Sequence, residues 1–308
     1  AITDHGVMYG VVDFYKACKE AGIKPIIGCE VYVAPRGRTR FQKVHEFDSS
    51  FHHLVLLCRN EEGYRNLSYM VSQAFLEGFY IKPRIDLDLL REHCGGLIAL
   101  SACLGGEIPK LLMAGDYDKA KEVALEMREL FGEDGYYLEL QDHNIPAQKK
   151  VNEGILRLHE ETGIPLVCTN DAHYLRKEDA KMQSILLCIQ TGKTIQDADR
   201  MEFQTDEFYV KTTDEMYELF SMVPEACANT AKIAEQCNFD FEFGHTKIPY
   251  YKAPDGMDNQ AFFEKLCWEG LERRYGPNVP QANKDRLSYE IGVVKTMGYT
   301  NYLSLIHI

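Results

Sequence analysis

Positive charge is in short supply in this chain of 308 residues: 34 lysines and arginines face 47 aspartates and glutamates, a formal net charge of −13. A module that grips duplex DNA unaided is usually basic, because its affinity comes from neutralising phosphates. The balance makes a poor stand-alone duplex binder. Two readings survive: a short stretch of nucleic acid met at a metal site, or a basic groove supplied by a larger protein. Long apolar runs are missing too; none approaches the roughly 20 residues that span a bilayer, so no membrane partner is expected. No charged-then-apolar leader opens the chain, and no segment is of low complexity. The ten cysteines include no CxxC pair, and several sit inside apolar runs. That usage suits a reducing cytoplasm better than a disulfide framework. Hydrophobic residues at 45% and charged residues at 26% are ordinary for a globular protein, and the length fits two domains.

Ala1 is not a methionine, and Ala1–His5 reads as the end of a buried strand, so a truncated start is expected. From there short β-branched or aliphatic runs alternate with amphipathic segments. Strands are expected at Lys24–Val33, His53–Cys58, Leu97–Ser101, Tyr136–Leu140 and Ile164–Thr169. Helices are expected at Val11–Ala21, Glu61–Leu76, Asp116–Phe131 and Pro146–Thr162, all but one with a glycine at the following position and Glu61–Leu76 with Gly78 close behind. This is the βα rhythm of a parallel sheet or (β/α) barrel, which places chemistry on loops after strands. After about residue 200 the rhythm fades. Glu202–Thr212 looks extended, Thr213–Leu219 and Val223–Cys237 helical, Phe239–Tyr251 aromatic and extended. A turn at Asp255-Gly256 precedes two more helices, Asn259–Tyr275 and Gln281–Gly298, and Tyr302–Ile308 breaks off in an apolar run. A boundary is placed near residue 240.

Five strand-associated sites carry candidate chemistry. Thr3-Asp4-His5-Gly6 offers a carboxylate and an imidazole, or else a turn with a helix-capping Asp. Glu30 lies in an apolar strand, where a carboxylate must be salt-bridged, hydrogen-bonded or metal-bound. Of His52 and His53, which point to opposite faces, His53 is the choice for an interior; a surface pair is the plain alternative. Cys103, in a small-residue loop, could bind zinc as thiolate or be inert. Asp171 and His173, two apart, can share one side of an extended segment, a donor pair suited to a hard or borderline metal. One point is awkward: His53 opens its strand, whereas the other sites follow theirs.

The strings TDHG, KPIIGCEVYVA, HHLVLLCRNEEGYRNL, GGLIALSACLGGEI, YYLELQDH and IPLVCTNDAHYL occur in that order. With FYVKTTDEM and NTAKIAEQCN behind them, the chain from residue 1 to about 237 resembles the PHP (polymerase and histidinol phosphatase) domain of bacterial replicative DNA polymerase III alpha subunits. The resemblance implies a distorted (β/α) barrel over 1–240 followed, over 241–308, by the beginning of an α+β polymerase palm. It implies two or three divalent metal ions, zinc or manganese, held by His5, Glu30, His53, Cys103, Asp171 and His173. Asp4 would orient His5, His143 would line the pocket without binding metal, and Lys82 and Arg84 are candidate phosphate contacts, with a solvated loop as the competing reading. The family's opening HxH motif would precede Ala1, and the closing YLSLIHI departs from the aromatic-rich segment expected there. The resemblance further implies DNA synthesis by an intact cytoplasmic protein whose magnesium-binding carboxylates lie outside this stretch. Its implied partners are primer-template DNA, a sliding clamp and other replisome subunits. For the PHP region it implies a 3′–5′ exonuclease, with a free-standing phosphatase on a small phosphate ester, or a scaffold docking a separate exonuclease, as alternatives.

Overall fold

The computed structural model describes residues 1–245 and 249–306. It divides into two compact units, Ala1–Phe241 and Glu242–Ile308. The first is a mixed α/β unit built on seven strands: β1 (Gly28–Val33), β2 (His52–Cys58), β3 (Phe79–Tyr80), β4 (Lys82–Ile85), β5 (Leu97–Leu100), β6 (Tyr136–Leu140) and β7 (Leu166–Cys168). Their order across the sheet is β3-β4-β1-β2-β5-β6-β7. The parallel pairing expected from the βα rhythm holds for β4 with β1, β5 with β6 and β6 with β7. It fails at β2, which runs antiparallel to both its neighbours, β1 and β5. Only 18 residues separate β1 from β2, and the single short helix His45–Asp48 between them is too little for the crossover that a parallel return needs.

Both faces of this sheet are covered, so its strands read as near-continuous apolar runs. On the outer face Cys29, Val31, Leu56, Leu97, Ala99, Leu138, Leu140, Leu166 and Cys168 join one large cluster. Helices Glu61–Leu76, Glu107–Ala114, Tyr117–Phe131 and Pro146–Thr162 bury residues in that same cluster. On the inner face Val55, Leu57, Ile98, Leu100, Tyr137 and Val167 form a second cluster, closed by Ile233 and Cys237 from the end of helix Pro224–Gln236. The alternation is the period of two expected of strands. Each burial of a large side chain contributes on the order of 2 kcal/mol.

Sequence alone missed β3, β4 and the helices Leu87–Glu92, Glu107–Ala114 and Ala180–Thr191. Glu202–Thr212, expected to be extended, forms no strand; one isolated bridge joins Tyr209 to Tyr174. The described part of Phe239–Tyr251 is irregular, and 246–248 lie outside the described residues, as do the last two residues of the apolar end.

The second unit contains helices Asn259–Tyr275, Gln281–Thr296 and Thr300–Ile306. Asp258 caps the first by accepting from Ala261 N at 3.0 Å. Among the described residues no helix is long and apolar enough to cross a membrane.

Candidate metal centre

The inward side chains of the first unit change character along the strands. At one end they are Leu57, Leu100, Val167 and Ile233; at the other they are Glu30, Glu139, Gln141, Thr169 and Asp171, and all nine line one cavity of about 580 Å³ with His5 and His173. The reversed β2 explains how His53 joins them. In the antiparallel register Glu30 faces Val55 and Tyr32 faces His53, so the start of β2 lies beside the far end of β1. In an all-parallel sheet His53 would sit at the opposite rim.

Glu30 is the hub. It is 4% exposed, and its Oε1 lies 2.7 Å from Nδ1 of both His5 and His53. Burial by itself would raise the Glu30 carboxyl, but hydrogen bonds from His5 and His53 outweigh it and hold the group at about 2. The same bond raises His5 above the ordinary imidazole value against the opposing effect of burial. Cys103 Sγ lies 3.5 Å from His53 Nδ1, and the His173 ring centre is 5.7 Å from that of His5. His173 Nδ1 donates to the Asp171 carbonyl at 2.7 Å, which leaves Nε2 as its free lone pair. Asp171 adopts φ 42°, a left-handed conformation uncommon outside glycine and concentrated at functional sites. Burial, its largest influence, raises the Asp171 carboxyl.

Two glycines make room for this packing. A Cβ on Gly105 would stand 2.8 Å from His53 Nδ1, and one on Gly6, where φ is +67°, would stand 2.9 Å from the Tyr32 ring. The Gly105 carbonyl also accepts from His53 N at 3.0 Å.

The donor set fits a divalent cation. One ligand atom each from His5, Glu30 and His53 falls within 4.8 Å of the others. Nitrogen and sulfur ligands of one tetrahedral zinc, at about 2.0 and 2.3 Å, are about 3.5 Å apart, which is the His53–Cys103 separation. The 2.7 Å contacts to Glu30 are hydrogen-bond distances, so protons hold these donors where a cation would. Burial raises the Cys103 thiol; a bound cation would favour its thiolate.

The remaining candidates fall elsewhere. The Asp4 carboxylate makes no hydrogen bond to His5 among the described residues; its backbone carbonyl instead accepts from Glu30 N at 3.1 Å and from the Cys29 thiol at 3.3 Å. His143 is fully buried and has both nitrogens engaged. Nε2 meets the Asn170 carbonyl at 2.7 Å and Nδ1 the Gln148 amide at 2.7 Å, so it props the Asn170–Asp171 turn from outside the cavity. Lys82 has its Nζ 5.6 Å from the Tyr32 ring centre, and its charge acts on His5, opposing the rise in that imidazole. Arg84 is neither a phosphate contact nor solvated. It is fully buried and donates to the carbonyls of Asp48 at 2.9 Å, Gln42 at 2.8 Å and Gly78 at 3.3 Å, pinning the loop before β2. His52 points away from Glu30; burial, assisted by Lys110 and Arg36, pushes it down to about 4.

Glu139 was missed. It is 4% exposed, accepts from Gln141 Nε2 at 2.9 Å and from the Thr169 hydroxyl, and has its Oε2 unpartnered. Burial pushes it to about 7, and the charges of Asp171 and Glu30 add to the rise. The signal was the alternation Tyr137, Glu139, Gln141 along β6 and the residue that follows it. The aromatic flank was missed too: Phe203 packs 4.7 Å from the His173 ring and 4.4 Å from Phe208.

Known proteins resemble this chain over nearly all of its length. Residues 1–143 match the PHP domain family, and residues 261–308 match the family described as bacterial DNA polymerase III alpha NTPase domain. DNA polymerase III subunit alpha of Treponema pallidum is 43% identical over 307 residues, 99% of this chain and 26% of that protein. The Borreliella burgdorferi subunit is 43% identical over 308 residues, 99% of this chain and 27% of its own length. The Thermus aquaticus subunit is 43% identical over 291 residues, 92% and 24% respectively. Over nearly its whole length the chain is similar to bacterial DNA polymerase III alpha subunits. It spans about a quarter of the length of these relatives, and its metal-centre candidates from His5 to Cys103 fall inside the PHP match, while Asp171 and His173 lie beyond it.

Proposed function

We propose that the PHP region binds divalent metal ions through His5, Glu30, His53, Cys103, Asp171 and His173 and hydrolyses phosphodiesters, acting as a 3′–5′ exonuclease on a mispaired primer end within a cytoplasmic replicative DNA polymerase. The observation that carries this reading is the single Glu30 oxygen shared at 2.7 Å by His5 and His53, two imidazoles from different segments. Bound cations, two or three of zinc or manganese, would lower the pKa of a coordinated water and neutralise phosphate oxygens. Glu30 and the histidines hold the donor atoms; the His173–Asp171 carbonyl bond fixes one imidazole tautomer. Lys82, beside Tyr32 and near enough for its charge to act on His5, supplies a cation for a substrate phosphate.

The whole-protein activity is part of the same proposal and is supported by the likeness to the polymerase subunits. The intact protein would synthesise DNA on a primer-template, with magnesium at carboxylates outside this chain, alongside a sliding clamp and other replisome subunits. The unit Glu242–Ile308 would begin its palm. A free-standing phosphatase is disfavoured by the match over 261–308. A scaffold docking a separate exonuclease is the alternative that measurement must separate.

The test is metal content followed by cleavage. The full chain, purified and incubated with zinc or manganese, should retain metal and shorten a 3′-mismatched primer faster than a matched one, while leaving histidinol phosphate intact. Metal retention without primer cleavage would leave the scaffold reading; failure to retain metal would remove the proposal altogether.

A further inference from the structure

Away from the metal centre, two thiols are in contact. Cys168 ends β7 and Cys227 lies near the start of helix Pro224–Gln236. Their sulfurs are 3.0 Å apart, the Cys168 S–H donating to Cys227 Sγ. Both are buried in the larger of the two core clusters, where the helix meets β7. Backbone anchoring holds them there: Asn229, in the same helix, donates from Nδ2 to the Leu166 carbonyl at 2.8 Å. A disulfide needs its sulfurs at about 2.05 Å, so closing the bond takes a movement of about 1 Å. A cleft of about 160 Å³ reaches this pair, lined by Cys168, Lys211, Met216, Tyr217, Cys227 and Thr230. That is room for several molecules the size of water, each of which takes about 30 Å³, and so for a small peroxide.

We propose that Cys168 and Cys227 form a redox-sensitive dithiol that a hydroperoxide converts into a disulfide clasping helix Pro224–Gln236 to β7. The Cys227 sulfur attacks the peroxide, the O–O bond breaks, and one oxygen stays on sulfur as a sulfenic acid while the other leaves, protonated, as alcohol or water. The Cys168 sulfur then displaces that oxygen; the S–O bond breaks, the S–S bond forms, and the Cys168 proton departs with the hydroxide as water. Two electrons pass from the two thiols to the peroxide, and a dithiol reductant returns them. β7 runs directly into the Thr169–Asp171 turn of the metal centre, so the clasp fastens the strand that presents Asp171. Burial makes the reaction slow compared with that of an exposed thiol. Joining positions this far apart in sequence restricts the unfolded chain and raises the thermal midpoint by roughly 5 °C or more.

The experiment treats the full chain with hydrogen peroxide, alkylates the remaining thiols after denaturation, and maps the unreduced digest by mass spectrometry. The expected result is one peptide pair joined through Cys168 and Cys227, two hydrogens lighter than the separate peptides and released by dithiothreitol. A higher melting midpoint in the oxidised chain should accompany it and should vanish in Cys227→Ser. Recovery of both cysteines as alkylated thiols overturns the proposal, as does a sulfinic acid at either position without the cross-link. A cross-link with no rise in midpoint overturns the clasp. Should Cys227→Ser not fold, the peptide map of the unsubstituted chain decides alone.

Discussion

The unit Ala1–Phe241 and the unit Glu242–Ile308 obtain their structure in different ways. In the first, strands are buried on both faces, and side chains such as Leu56, Ile98 and Leu138 are wholly inaccessible. In the second, the described buried side chains of any size are Phe263 and Ile291, while Tyr275, Tyr289, Met297 and Tyr302 are exposed. Its helices rest on local bonds instead: the Asp258 cap, the Asn259 amide to the Asn301 side chain at 2.8 Å, and the Thr300 hydroxyl to Gln260. Local capping and propensity suffice to draw helices, but a site that gathers distant residues needs a core that fixes several strands at once.

The sharpest way to break this contrast is a core truncation in each unit. Leu138→Ala, wholly buried, should cost toward the upper end of about 2–5 kcal/mol of unfolding free energy, whereas Ile291→Ala, 8% exposed, should cost about 2 kcal/mol, the lower end of that range. Urea midpoints read by probes local to each unit would show it, and equal losses would erase the distinction drawn here. Acid is the next lever. Glu30, held at about 2 against an ordinary 4.5, contributes stability that is present above about 4.5 and lost as pH falls toward about 2; the linkage limits this to about 3 kcal/mol. His5, raised by the same pair, contributes fully below the ordinary imidazole value, a share lost as pH climbs through its raised pKa. Denaturation of the first unit should therefore steepen below pH 4.5, and Glu30→Gln should flatten that limb. If the flattening is absent, the hub has been misjudged.

Metal should act on one unit alone. Zinc or manganese should raise the melting midpoint of the first unit by mass action and leave the helices of the second unmoved; Glu30→Gln should weaken retention at least tenfold, measured by competition with a chelator. The smallest effect belongs to the second unit: Asp258→Ala should cost about 1 kcal/mol, visible as faster amide exchange in the first turn of helix Asn259–Tyr275. Exchange unchanged there would mean that something other than local capping holds that helix.

Much was legible from short-range pattern. Glu61–Leu76, Pro146–Thr162, Thr213–Leu219 and Asn259–Tyr275 have the bounds expected, because periodicity, caps and terminal glycines act within a few residues. The six proposed ligands could be named from strand ends, and they lie in one region. Glu139 went unnamed because a glutamate between two leucines looks the same whether it faces solvent or a cavity. Arg84 misled for a similar reason: four backbone carbonyls scattered from Arg40 to Gly78 satisfy it, and no local string announces them.

By itself the amino-acid order determined most of the longer helices and central strands and which side chains could bind a cation, and its net charge of −13 argued against unaided binding of duplex DNA. Tertiary structure decided that β2 would run against its neighbours, and with that whether His53 would meet His5 at Glu30. Strand direction depends on pairings across the sheet and on the length of chain available to return, quantities that no window of neighbouring residues contains.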